Sequence, residues 1–427
     1  MAQEEEPRMS TRQDSFKTFP SREKIGRRHF LTGTGAAAMS FSLVNSKLVR
    51  GSEANSKISL GVIGCGMRGK WITDLFVKHG GYQIVAAADY FQDKVDEFGE
   101  QFGVPEPHRY TTLAGYKRLL EQEPDAVVIE SPPYFHPEQA KAAVDAGAHV
   151  FLAKPIAVDV PGVNLVHQLG SEATSKDLCF LVDFQTRTNT FFKEAVARVH
   201  QGDIGNIHLG EACFLGGDVW NSWNPIGRYI REKPNDPEAR LRSWGVDRGL
   251  SGDILVEQCI HSIDVASWIL GENPLTAYGM GGRYHYEFGN VWDCYAVEYR
   301  FPNGLPILVS ARQFGKGYSD MGCRMYGLSG TIDTHYGGEV SIQGDEPYKG
   351  GSTDNLYPEG ASSNITDFYA DITEGRFENN TVDPSVQSHL AAILGRMASY
   401  QGREVAWNEM IDANETLESD VIGQLKA

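Results

Sequence analysis

The feature that most constrains this chain is an apolar run that breaks at three spaced glycines and resumes as a helix. Residues Ile58–Ile63 read ISLGVI, the continuous apolar pattern of a buried strand. Gly64-Cys65-Gly66-Met67-Arg68-Gly69 follows, and Trp71, Leu75, Phe76 and Val77 then mark the apolar side of a helix. Strand, glycine turn and helix in this order form the G-x-G-x-x-G dinucleotide fingerprint. Gly64 serves the tight turn. Gly66 lets the backbone approach a pyrophosphate, because a Cβ there would intrude, and Gly69 allows close helix–strand packing. The helix start, with Met67 and Arg68, offers free N–H groups and a positive dipole end to phosphate oxygens.

A second strand, Tyr82 to Ala88, ends in Asp89, about 20 residues beyond Gly69, where a ribose-binding carboxylate is expected. An acid there accepts hydrogen bonds from a 2′-hydroxyl and repels a 2′-phosphate, which favours NAD over NADP. The competing role for Asp89 is a helix N-cap. Strands and helices keep alternating. Helical patterns at 93–102 and 113–121 precede a strand at 126–129, a helix at 137–146 and a strand at 149–152. That alternation predicts α/β architecture, with a doubly wound parallel sheet of Rossmann type over 56–182. Ligands of such sheets bind beyond the carboxyl ends of the strands. The segments Ser131–His136 and Ala153-Lys154-Pro155 fall there, so Pro132, His136 and Lys154 become candidate cofactor neighbours.

The remainder, 183–427, is long enough for a second domain. Strand-like runs at 207–214, 296–301, 307–312, 324–326 and 340–342 predict a C-terminal α+β domain. Its large, open, mostly antiparallel sheet would leave one face for substrate or for assembly into a dimer or tetramer. A helix is expected over 385–400. Between them, 218–249 is long, polar and aromatic. Trp220 and Trp223 there suit the apolar face of a sugar ring, or else a packing role.

The net charge of -17 argues against nucleic acid or an anionic membrane surface as partner. The six cysteines include no C-x-x-C pair, no zinc-protease motif H-E-x-x-H occurs, and no metal site is expected. Before the fold begins, Arg27-Arg28-His29-Phe30-Leu31 and a weakly apolar, Gly/Ser-rich stretch to Val44 match the pattern of a twin-arginine signal. Residues 1–55 are thus expected to be an address read by export machinery, sending the protein to the periplasm. The stretch is too short to span a bilayer, and no later run approaches about 18 uncharged apolar residues.

Taken together, the chain resembles the Gfo/Idh/MocA superfamily of oxidoreductases. The resemblance rests on the glycine motif, on the Pro-containing loop ending in His136, on Lys154-Pro155 after an apolar strand, and on Ser251–Asp264 with its Glu257, His261 and Asp264. It departs from the family at Ala153, where Glu is common, and at Glu257, where Asp is frequent. The resemblance implies an NAD-dependent oxidoreductase acting on a CH–OH group of a sugar or cyclitol, and the export signal beside a dinucleotide site adds the expectation of a bound cofactor recycled by a second substrate. The resemblance also implies that Gln185 and Arg187 lie at the crossing between domains. Lys154 and His261 are the expected catalytic pair. His261 would take the hydroxyl proton and Lys154 would polarise the substrate oxygen. Spaced i, i+4 and i+7, Glu257, His261 and Asp264 would share one helix face. Glu257 would orient substrate, Asp264 would hold His261 or cap the site, and Arg187 would help bind the substrate. The alternatives are an NAD-dependent glycosidase or lyase working by transient oxidation and elimination, and a non-catalytic sugar-binding relative.

Overall fold

A computed structural model describes residues 57–427. The expected export signal lies outside them. The first half alternates strand and helix: β1 (Ile58–Ile63), α1 (Met67–His79), β2 (Tyr82–Ala88), α2 (Gln92–Phe102), β3 (Arg109–Tyr110), α3 (Gly115–Leu120), β4 (Ala126–Ile129), α4 (His136–Asp145), β5 (His149–Ala153), α5 (Val160–Ser175) and β6 (Phe180–Asp183). The six strands pair in parallel in the order β3-β2-β1-β4-β5-β6. Every residue of β4 and β6 is buried, as a parallel sheet covered on both faces requires. α5 starts at a well-made cap, where the Asp159 side chain accepts from Gly162 N.

A helix, α6 (Thr190–Gln201), leads to β7 (Ile207–Gly216). The segment 218–252 is built of short pieces: a helical turn at 219–223, α7 (Gly227–Glu232), α8 (Pro237–Arg242) and α9 (Arg248–Ser251). Then come α10 (Asp253–Glu257), α11 (Ile260–Leu270), β8 (Thr276–Gly282), β9 (Cys294–Arg300), β10 (Pro306–Gln313), β11 (Asp320–Gly327), β12 (Gly330–His335), β13 (Glu339–Gly344) and β14 (Tyr348–Ser352). The chain closes with α12 (Leu356–Glu374), α13 (Val382–Gln401), β15 (Val405–Ala406) and α14 (Trp407–Ala413). Nine strands form the second sheet in the order β14-β13-β12-β11-β7-β10-β9-β8-β15. All its neighbours are antiparallel except β7 and β10. β9 and β10 alternate buried and exposed residues, the signature of a sheet covered on one face only.

One hydrophobic core runs from the parallel sheet through α11 and α13 into the second sheet. α13 packs on α5, α11 and β8, so it ties the two sheets together. The opposite face of the second sheet exposes Leu209, Tyr278, Met280 and Leu308. All six cysteines are free thiols. No helix among the described residues is long and apolar enough to cross a membrane.

Candidate functional site

The glycine motif does what its spacing demands. Gly64 has φ +97, and a Cβ there would lie 2.5 Å from the backbone of Glu130. A Cβ on Gly69 would lie 1.9 Å from the Gly64 carbonyl oxygen. Both glycines are therefore required by the protein's own packing. Gly66 is different: a Cβ there would meet nothing within 4 Å. It lies at the N-cap of α1, where no side chain caps the helix, so the first N–H groups of the helix have no side-chain acceptor.

A cavity of about 340 Å³ opens over this turn. Gly64, Gly66 and Met67 line one side, Asp89 and Phe91 a second, and Glu130, Ser131 and Pro132 a third. The roof comes from the 218–252 segment, with Tyr229, Arg242 and Trp244. Arg242 stacks on the Phe91 ring at 3.7 Å from its centroid and pairs with Asp93, while Tyr90 Oη donates to Glu238. The C-terminal end is stitched to the same rim. Leu113 N donates to the Lys426 carbonyl, and Lys426 N donates to Tyr90 Oη.

Asp89 follows β2 directly, as expected, and its carboxylate is held by two backbone N–H groups. Oδ2 accepts from Cys65 N at 2.8 Å, and Oδ1 accepts from Phe91 N at 2.9 Å, at the start of α2. These bonds fix the carboxylate at the cavity wall, and each oxygen keeps a lone pair for a ribose hydroxyl. Burial pushes this carboxyl up from its ordinary value. The set fits a dinucleotide: an unobstructed glycine turn, unsatisfied helix N–H groups for pyrophosphate and a fixed carboxylate for ribose.

Beyond the other side of the turn lies a dense cluster of charges. Lys154, just after β5, donates from Nζ to the Glu257 carbonyl at 2.6 Å and to Glu257 Oε1 at 3.3 Å. Burial pushes the Lys154 ammonium down and the Glu257 carboxyl up, and their mutual attraction opposes both shifts. His261 is buried, and its Nδ1 has no partner in the protein. Burial, with the charges of Lys154 and Arg68 added, holds its imidazole well below its ordinary value. The same environment disfavours an imidazolium at this position. Its ring packs against Tyr336 at 5.0 Å between centroids.

Several expected roles are corrected. Glu257 and His261 do not share a helix, because α10 ends at Glu257 and α11 starts at Ile260. Asp264 neither holds His261 nor faces a cavity. It is fully buried in a bidentate pair with Arg187, at 2.9 Å from both Nε and Nη2, and it accepts from Ser388 Oγ. Asp264 is thereby taken up by Arg187 and Ser388, while Arg187 gives two of its three nitrogens to this pair. Trp220 is 2% exposed and packs with Ile230, Val246, Tyr286 and Val291, so it is a core residue of the insertion. The Trp223 side chain lies outside the described residues. Gln185 is buried, and its Oε1 accepts from Tyr336 Oη at 2.9 Å. His136 is buried between two backbone carbonyls, with Nδ1 2.7 Å from Pro155 O and Nε2 2.7 Å from Ser131 O. It clamps the two crevice loops to each other. The Arg68 guanidinium does not line the cavity. It is committed to Glu130, Asp183 and the Tyr357 hydroxyl.

Sequence reasoning missed Glu130, Asp183 and Tyr357. The signal for Glu130 was available: an acid directly after a fully apolar strand, at the carboxyl edge of a parallel sheet. Asp183 carried a similar signal, as the acid that ends the apolar run of β6. Tyr357 lies 289 residues from Arg68, and no local pattern could link them.

Comparison with known proteins agrees with this geometry. Residues 58–184 match the model for the oxidoreductase family with an NAD-binding Rossmann fold, and 192–333 match the GFO/IDH/MocA C-terminal domain. A myo-inositol 2-dehydrogenase of Thermotoga maritima is 24% identical over 277 residues, covering 64% of this chain and 74% of that one. A glycosyl hydrolase family 109 protein of Shewanella pealeana is 27% identical over 216 residues, 45% of this chain and 46% of that one. Among solved structures, scyllo-inositol dehydrogenase from Lactobacillus casei with bound NAD(H) and scyllo-inositol superposes with a TM-score of 0.65 at 19% identity, over 83% of this chain and all of that one. Two matched models that together take in most of the chain, on a fold of the same layout, show that it belongs to the Gfo/Idh/MocA family of NAD-binding oxidoreductases.

Proposed function

We propose that the protein oxidises or reduces a secondary hydroxyl of a sugar or cyclitol, with Lys154 and His261 handling the hydroxyl proton. The observation that carries this reading is the placement of Lys154. A cation rests on Glu257 at the carboxyl end of β5, the side of a parallel sheet on which ligands bind. Bound NAD supplies the hydride acceptor, and the protein supplies position and proton transfer. Lys154 stabilises negative charge developing on the substrate oxygen, and Glu257 holds its ammonium in place. His261, whose Nδ1 has no partner in the protein, takes the proton in this reading, against the burial that disfavours its charged form. Inositol and glycoside relatives support a polyhydroxylated ring as substrate. The test is a screen of inositols and monosaccharides against NAD-loaded protein, followed by nicotinamide absorbance. An absorbance change with at least one polyol is expected, and silence across the panel would sink the reading.

A redox-neutral glycosidase is the second reading, favoured by the relatives of glycosyl hydrolase family 109. Transient oxidation acidifies a neighbouring C–H, which permits elimination of the glycosidic group. Release of an aglycone without net NADH separates it from the first. The roof over the cavity, built from 218–252 and the C-terminal segment, supports a slowly exchanging cofactor. Purified protein should then release NAD on denaturation after gel filtration. Export through the twin-arginine route, to the periplasm, and assembly through the open face of the second sheet complete the proposal. Fusion of residues 1–55 to a reporter, and sedimentation of the folded domains, test them.

A further inference from the structure

The parallel sheet divides the crevice in two. Asp89 stands at the end of β2 in the half that takes the adenosine ribose. The strands β4, β5 and β6 end beneath the other half, and their next residues or last residues are Glu130, Ala153 and Asp183. These three positions are neighbours across the sheet, since Ile129 pairs with Leu152 and Ala153 pairs with Asp183. Ala153 has no polar group. Asp183 is spent: Oδ1 accepts from Asn364 Nδ2 at 2.7 Å, and Oδ2 accepts from Arg68. Glu130 alone keeps a carboxylate oxygen without a protein partner. Its Oε2 accepts from Arg68 Nε at 3.2 Å, while Oε1 is buried and unpaired in a side chain only 1% exposed. Such an orphan is costly unless a ligand satisfies it. Glu130 also lines the cavity, through its backbone, which lies directly under the Gly64 turn.

We propose that Glu130 Oε1 accepts a hydrogen bond from the nicotinamide nucleoside half of bound NAD, through a ribose hydroxyl or the carboxamide N–H. This rests on the assignment of the cavity to NAD. An acceptor beneath the turn needs a donor, and that half of the dinucleotide carries donors while the pyrophosphate carries none. The residue's chemistry agrees: burial pushes the Glu130 carboxyl up to about 7, against the pull of Arg68, as expected of a group that lacks a partner.

The test is Glu130→Gln, which preserves shape. Arg68 will hold the amide oxygen, so the amide N–H₂ turns toward the cavity and a donor replaces the acceptor. NAD, ADP-ribose and ADP are titrated calorimetrically against wild type and variant, with a thermal melt of each. The expected result is a Kd for NAD raised roughly ten- to hundredfold, with ADP changed by less than about twofold. Loss of ADP-ribose affinity as well would assign the bond to the ribose, and its retention would assign it to the carboxamide. Unchanged NAD binding, or an equal loss for NAD and ADP, would overturn the proposal. Wild-type protein that bound neither NAD nor ADP would instead remove the cofactor assignment beneath it.

Discussion

The two halves of the crevice solve the same problem in opposite ways. In the Asp89 half, a single carboxylate is fixed by two backbone N–H groups, and the surroundings are aromatic: Tyr90, Phe91, Tyr229 and Trp244. In the Lys154 half, three carboxyls, on Glu130, Asp183 and Glu257, interlock with two cations, on Arg68 and Lys154. In the proposed function the first half holds the unreactive adenosine end of the cofactor, for which shape and a few fixed acceptors suffice. In the proposed function the second must move a proton, and its groups lie close to one another and away from water, where small changes shift their charge. Order in the first half is local in sequence. Order in the second is assembled from β4, β5, β6, α1, α10 and α12.

The largest effects test which glycines serve the protein and which serve the ligand. Gly69→Ala would force a Cβ to 1.9 Å from the Gly64 carbonyl oxygen, and loss of soluble folded protein is expected. Gly66→Ala meets open space in the protein. It should melt near the wild-type temperature and still lose NAD affinity by at least about tenfold, because only the pyrophosphate needs that space. Equal NAD binding by the Gly66 variant would show that the pyrophosphate does not lie over the turn.

The next effect separates the two halves by their chemistry. Lys154→Met should lower turnover by roughly 10²- to 10⁴-fold, with NAD affinity within a fewfold of wild type. Asp89→Ser should do the converse, narrowing discrimination between NAD and NADP while leaving turnover at saturating cofactor little changed. Initial rates with each dinucleotide decide. If Lys154→Met weakened NAD as much as it slowed turnover, the division into a holding half and a reacting half would fail.

How much of this was legible in the sequence follows the same line. β1, the glycine turn, α1 and Asp89 are contiguous, and period and spacing reveal them directly. The strands at 126–129 and 149–152 were marked by continuous apolar runs and appear with nearly those bounds. β8, β12 and β14 were missed. β8 and β14 are rich in glycine and carry only weak alternation, and β12 is short, with Ile332 as its one buried apolar side chain beside the buried Thr334. α5 and α12 went unread too; α12 is a long helix carrying few large apolar residues on a polar sequence. At the site, Lys154 met Glu257, but the regular i, i+4, i+7 spacing misled. It assumes one continuous helix, and the chain breaks at Gln258–Cys259. Asp264 then turns to Arg187, a pairing across 77 residues that no local pattern encodes. Trp220 looked like a sugar platform because a tryptophan in a polar loop is conspicuous; the insertion has its own small core, and the ring fills it.

The smallest predicted effect, on stability against pH, sharpens the contrast most. The Lys154 loop is held by two buried histidines, of which His389 must stay neutral to accept at Nε2. His389 Nε2 accepts from Ile156 N at 3.0 Å while its Nδ1 lies 2.6 Å from Ser385 O, and His136 Nδ1 lies 2.7 Å from Pro155 O. Burial lowers His389 to about 3 and His136 to about 4. In the unfolded chain both take up a proton near pH 6.5. Their contribution is therefore fully present above pH 6.5 and is lost as pH falls through the folded values. Glu130 works the other way: raised to about 7 from its ordinary value, it favours folding increasingly as pH falls from 7 toward 4.5. Urea unfolding between pH 7.5 and 4.5 should show a net loss, because the two histidines outweigh the one carboxyl. His389→Gln keeps an acceptor for Ile156 N and cannot be protonated, so its stability should fall less steeply over this range. A slope equal to that of wild type would mean that the Lys154 loop does not depend on a neutral imidazole, and the chemical distinction between the two halves would lose its structural basis.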